Sequence, residues 1–142
     1  MKRSGSTVAF ALAALPIFAS GVASAMVDEF LPPEETQGAI TYRTGGIGHE
    51  EATAMKQVEA NYPLALEFVA KAEPDNWFLA DVAVTIKDAH GHTALDTYSD
   101  GPFLFAKLPD GGYTVTATYE GRSETRHVNI GASKRERFFF IW

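Results

Sequence analysis

The stretch SDGPFLFAKLPDGGYTVTATYEG, Ser99 to Gly121, joins an apolar run, a Pro-Asp-Gly-Gly turn and a segment in which Tyr113, Val115, Ala117 and Tyr119 alternate with Thr114, Thr116, Thr118 and Glu120. A period of two sends one set of side chains into a core and the other into water, the pattern of an antiparallel strand covered on one face. Pro109 suits the first corner of a tight turn, and Gly111 and Gly112 accept the positive backbone angles that a Cβ resists. The stretch therefore predicts a hairpin of Phe103–Leu108 with Gly112–Glu120, from which the rest of the fold builds outward.

Upstream of it, Ala80, Val82, Val84 and Ile86 alternate with Asp81, Ala83, Thr85 and Lys87, and Asp88-Ala89-His90-Gly91 turns the chain into a return strand at His92–Tyr98. Leu64–Ala70 alternates similarly, with one apolar and one mixed face. Before it, Ala52, Met55, Val58 and Tyr62 recur at helical spacing over His49–Asn61, Glu50 and Glu51 suit the helix start, and Pro63 stops the helix. Gly38–Arg43 is a short strand leading into Gly45-Gly46-Ile47-Gly48. Downstream, Gly121-Arg122 turns into Ser123–Ile130, and Gly131-Ala132-Ser133-Lys134 into Arg135–Trp142. Six or seven strands at roughly ten-residue intervals, with one helix ahead of them, predict a mainly β, antiparallel sandwich.

The N-terminus carries an address. Lys2 and Arg3, the apolar run Val8–Phe18 and Ala23-Ser24-Ala25 make residues 1–25 an expected signal peptide cleaved near Ala25, which places the mature chain in the periplasm or outside the cell. Met26–Gln37 is expected to be a flexible acidic lead-in, 38–62 a strand, GGIG loop and helix, and 63–142 the sandwich. Cleavage removes two of the 12 basic residues, leaving ten against 18 acidic ones and a formal charge of −8 in place of −6. Such a balance argues against nucleic acid as a partner, and the mature chain is not expected to insert stably in a membrane. With no cysteine, stability rests on the core, for which 46% hydrophobic residues suffice.

Asp81–Ile130 resembles the carboxypeptidase regulatory-like, transthyretin-like modules. The matching positions are Val82-x-Val84-x-Ile86-x-Asp88-x-x-Gly91, Thr97-x-x-Asp100-Gly101-x-Phe103, Phe105-x-x-Leu108-x-x-Gly111-x-Tyr113-x-Val115, Tyr119-x-Gly121 and Val128-x-Ile130. More loosely, the GGIG-helix segment resembles uncharacterised secreted proteobacterial proteins built around this module. The resemblance implies a β-sandwich that serves as an accessory or binding domain. Two active relatives fit poorly. Hydroxyisourate hydrolases end in Tyr-Arg-Gly-Ser, whereas this chain ends in Phe138-Phe139-Phe140-Ile141-Trp142. Adhesin modules that weld a Lys to an Asn beside a buried Glu would use Lys87 and Asn129, but Ala117 stands where the Glu is expected.

Other chemistry is sparse. The GGIG loop before a helix could cradle a phosphate, but Glu50 and Glu51 put negative charge there and no Gly-Lys-Ser/Thr follows. His90 and His92 could ligate a metal, with His127 or Asp96 joining. A Ser99-based triad can be assembled only on paper, and neither a Gly-x-Ser-x-Gly elbow nor a thiol nucleophile exists. The C-terminal aromatics are the most unusual feature: alternation buries either Phe139 and Ile141, or Phe138, Phe140 and Trp142. The expected function is an exported, non-catalytic binding or interaction module without cofactor. Its partner would be another envelope protein or a small ligand, held at a surface drawn from Trp77, Phe138, Phe140 and Trp142. The alternative is a periplasmic metal-binding protein using His90 and His92.

Overall fold

The computed structural model describes residues 27–131 and 134–142; the expected signal peptide and the tip of the last turn lie outside them. Among the described residues, ten strands and the α-helix His49–Val58 build a two-sheet sandwich. In chain order these are β1 (Glu35–Gln37), β2 (Ile40–Gly45), α1 (His49–Val58), β3 (Leu64–Ala70), β4 (Trp77–Phe78), β5 (Val82–Asp88), β6 (Thr93–Ser99), β7 (Phe103–Lys107), β8 (Gly111–Tyr119), β9 (Arg122–Ile130) and β10 (Glu136–Ile141). Sheet A has the order β1-β2-β7-β3-β10, with β4 against the end of β3, and sheet B the order β6-β5-β8-β9.

Sheet B follows the alternation. Val82, Val84, Ile86, Leu95, Val115, Ala117 and Val128 point into the sandwich, while Thr85, Thr114, Thr116, Thr118 and Thr125 face outward. Two of its three pairings join strands that are consecutive in the chain. β5 and β6 pair across the predicted turn, where the Asp88 carboxylate accepts from the backbone N–H groups of His90 and His92, both at 2.9 Å. β8 and β9 pair across Glu120 and Gly121, both at positive φ, the geometry of a two-residue hairpin turn.

The predicted hairpin of Phe103–Leu108 with Gly112–Glu120 does not form. β7 sits in sheet A between β2 and β3, and β8 sits in sheet B between β5 and β9. Pro109-Asp110 is thus an arch from one sheet to the other, pinned where the Tyr113 hydroxyl donates to the Pro109 carbonyl at 2.7 Å, in the manner of a tyrosine corner. Burial explains the difference. Phe103, Leu104, Phe105 and Ala106 are all buried, because β7 is covered on both faces, whereas β8 is covered on one. An unbroken apolar run belongs in the middle of a layered stack, and an alternating one in an outer layer.

Sheet A is assembled from distant segments. Leu64, Leu66 and Phe68 of β3 join Leu104, Ala106 and Phe140 in the sandwich core, while Ala65, Phe103 and Phe105 face outward beneath Met55 of α1 and Tyr62. β10 pairs with β3 in parallel, Glu136 opposite Leu64 through Ile141 opposite Val69. That pair is an exception to the antiparallel expectation. β2 is an integral strand of this sheet, so the strand-loop-helix segment shares one core with the sandwich.

Nor does the acidic lead-in stay free along its whole length. Glu34 accepts from the Tyr62 hydroxyl and lies 3.1 Å from Lys107 Nζ and 3.7 Å from Arg43 Nη2. These partners, Tyr62 first, hold its carboxyl below the usual range. Three residues on, the Gln37 side-chain amide donates to the Asp96 carbonyl at 3.0 Å and accepts from the Asp96 N–H at 2.7 Å. Gln37 thereby stitches sheet A to the edge of sheet B as a strand backbone would.

Candidate functional site

The outer face of sheet A divides into two halves. α1 closes one, over Ala65, Phe103 and Phe105. The other is laid out by register. Because paired residues share a face, Ile141, Val69 and Phe78 form one row across β10, β3 and β4, and Phe139, Glu67 and Phe103 form the next. Phe139 is 46% exposed, Ile141 42% and Phe78 61%, so apolar surface faces water where the helix ends its cover. Arg137 borders the patch. Its guanidinium reaches Glu59 at 3.0 Å and Glu67 at 3.2 Å, and lies 5.1 Å from the centre of the Phe139 ring. Glu67, itself buried, is thereby neutralised at the junction of the two halves.

Beside this patch the GGIG loop turns into α1. Gly46 packs on the Phe103 ring, which would lie 2.3 Å from an added Cβ, and its N–H donates to Glu51 Oε1 at 2.8 Å. The amide that a phosphate would have needed is filled by the protein's own carboxylate, a variant of the reciprocal capping box. Loop, helix and the β4–β5 connection leave a cleft of about 520 Å³, walled by Ile47, Ala52, Phe78, Leu79, Ala80 and Pro102.

The residues singled out in sequence are dispersed. Phe140 is fully buried and stacks with Trp142, so it is a core residue and presents no surface. Phe138 and Trp142 are partly buried against the same core, and the Trp142 indole N–H donates to the Arg122 carbonyl at 3.0 Å, closing the β9 side of the sandwich. Only Trp77 of the expected surface set is largely exposed. The outward pair is Phe139 and Ile141, on the parity of Arg135 and Arg137; Lys134 and Glu136 stand on the other parity, so charge does not mark the wet face of this strand.

His90 and His92 lie 6.3 Å apart, ring centre to ring centre, at the β5–β6 tip, with His92 Nδ1 3.7 Å from Asp88 Oδ2. Burial tends to raise the Asp88 carboxyl, but the two backbone N–H donors outweigh it and hold it below its usual range. His127 is on β9 beside Thr114, and Asp96 on β6 beside Thr85; among the described residues no three such groups converge as a metal site would require. Ser99 is fully buried and its hydroxyl donates to the Gly101 carbonyl at 2.7 Å, which makes it a loop staple. Lys87 and Asn129 are exposed on sheet B, whereas Ala117 faces the core.

No protein family matches the chain, and no curated protein does. Among solved structures, the Bacillus anthracis TIE protein is similar to it at 22% identity with a TM-score of 0.42, over 56% of this chain and 16% of that one. The matched region is a small part of that protein's length. No helix among the described residues is long and apolar enough to cross a membrane.

Proposed function

We propose that this chain is an exported, non-catalytic interaction module of the cell envelope, of the carboxypeptidase regulatory-like, transthyretin-like kind, and that it binds a protein partner through the uncovered half of sheet A. One observation carries the reading: Phe78, Phe139 and Ile141, all exposed, are grouped by register around the buried Val69 on the same face, next to a half that α1 covers. Exposed apolar side chains grouped on a flat sheet face are more often contacts than accidents. Among the described residues no strand pairs with the outer edge of β10, which lies alongside and is open to strand addition. Non-catalysis is supported by the engagement of the candidate reactive groups, with Ser99 tied to Gly101 and the Gly46 amide to Glu51.

The test is capture from the envelope fraction of the source organism with the tagged mature chain, beside Phe139→Ser/Ile141→Ser. Both side chains are exposed, so the variant keeps its fold by circular dichroism. A partner held by the wild type and lost by the variant supports the reading. A partner held equally by both removes it.

A further inference from the structure

We further propose that the cleft between the GGIG loop, α1 and β4, which shares Phe78 with that surface, binds a small amphipathic anion, an apolar body bearing one carboxylate. Its volume, about 520 Å³, falls in the range of sites for small organic ligands. The walls are apolar, with Ile47 and Phe78 each 61% exposed at its mouth. Charge supplies the second half of the argument. The chain has 18 acidic residues, yet none lines the cleft, while Lys56 does. Glu51 is turned inward onto the Gly46 N–H, and Glu50 lines an adjoining hollow with Phe30, which meets the cleft at His49 and Thr53.

Lys56 supplies the positive charge of the lining. Among the described residues no carboxylate lies within salt-bridge distance of its Nζ, which sits 5.9 Å from the centre of the Phe103 ring. The helix start contributes no anion site, since Glu51 occupies the Gly46 amide. A carboxylate would therefore meet Lys56, with Thr53 and His49 as the other polar lining groups, while its hydrocarbon covers Phe78, Leu79 and Pro102. A cation at the rim of an apolar wall selects an acid over the alcohol of the same chain length.

Nuclear magnetic resonance titration of the mature chain with octanoate and octan-1-ol tests this. Octanoate is expected to give saturable amide shifts across 46–56 and 78–80, and octanol to bind about fivefold more weakly, the discrimination one exposed ion pair supplies. Lys56→Gln should bring octanoate down to the level of octanol, and Phe139→Ser/Ile141→Ser should change neither titration. Absent or non-saturable shifts at the cleft, equal binding of acid and alcohol, or an unaltered octanoate affinity in Lys56→Gln would each overturn the assignment. Loss of partner capture in the β10 variant leaves it standing, so the two readings fail separately.

Discussion

Sheets A and B share one core and finish their outer faces in opposite ways. Sheet B turns cross-strand hydroxyls to water: Thr116 pairs with Thr125 at 3.3 Å and Thr118 with Ser123 at 2.7 Å, and Tyr98 is the large ring exposed on that face. Sheet A turns aromatic and aliphatic side chains outward and covers only half of them with α1. A strand of sheet B has one job per face, whereas β7 and β3 must satisfy a core on each side. The difference puts the doubly covered strands on sheet A, together with the surface proposed for recognition.

The sharpest way to break that comparison is to empty the second core. Phe105→Ala removes a fully buried ring between β7 and α1 and should lower stability by about 3–5 kcal/mol in urea denaturation. A loss below about 1 kcal/mol would mean that α1 is not packed on the sheet. Next comes the junction of the loops. A Cβ at Gly101 would lie 2.5 Å from the backbone carbon and oxygen of Gly45, so Gly101→Ala should cost about 2 kcal/mol through forced backbone movement. An unchanged midpoint would show that these loops do not interlock.

Tyr62 sharpens the comparison by pH. Burial first, and then its hydrogen bond to Glu34, push its phenol up to about 12. Unfolded tyrosine ionises near pH 10, so the stability linked to this group is complete below that pH and is lost as the pH rises towards about 12. Tyr62→Phe should flatten part of the alkaline fall in urea midpoint; Tyr42 and Tyr113, also raised chiefly by burial, keep the remainder. Identical alkaline profiles would place the linkage elsewhere. The smallest effect belongs to sheet B: Thr116→Ala loses one hydroxyl pair and should cost about 0.5 kcal/mol. A cost several times larger would contradict a finished, water-facing surface.

Much of this was legible in the sequence where local patterns decide structure. Leu64–Ala70, the helix start at His49, and the β5–β6 and β8–β9 turns follow from alternation, helical spacing and turn residues. The pairing of β7 is not fixed by its turn, because Pro and Gly signal a reversal without saying whether the chain returns to the same sheet. The cue was the lack of alternation in Phe103–Ala106, which demands cover on two faces. The parallel match of β10 to β3 spans some seventy residues and has no local signature. Of the site, the GGIG loop and Trp77 stand out in the sequence, but the row joining Phe78 to Ile141 exists only once the strands are in register.

The central claim, that recognition belongs to sheet A's outer face, is tested most directly by partner capture with one folded variant on each face. Phe139→Ser/Ile141→Ser alters sheet A, and Tyr98→Ser/Thr116→Ser, also at outward positions, alters sheet B. The account predicts that the first loses the partner and the second keeps it. Retention by the first and loss by the second would contradict it.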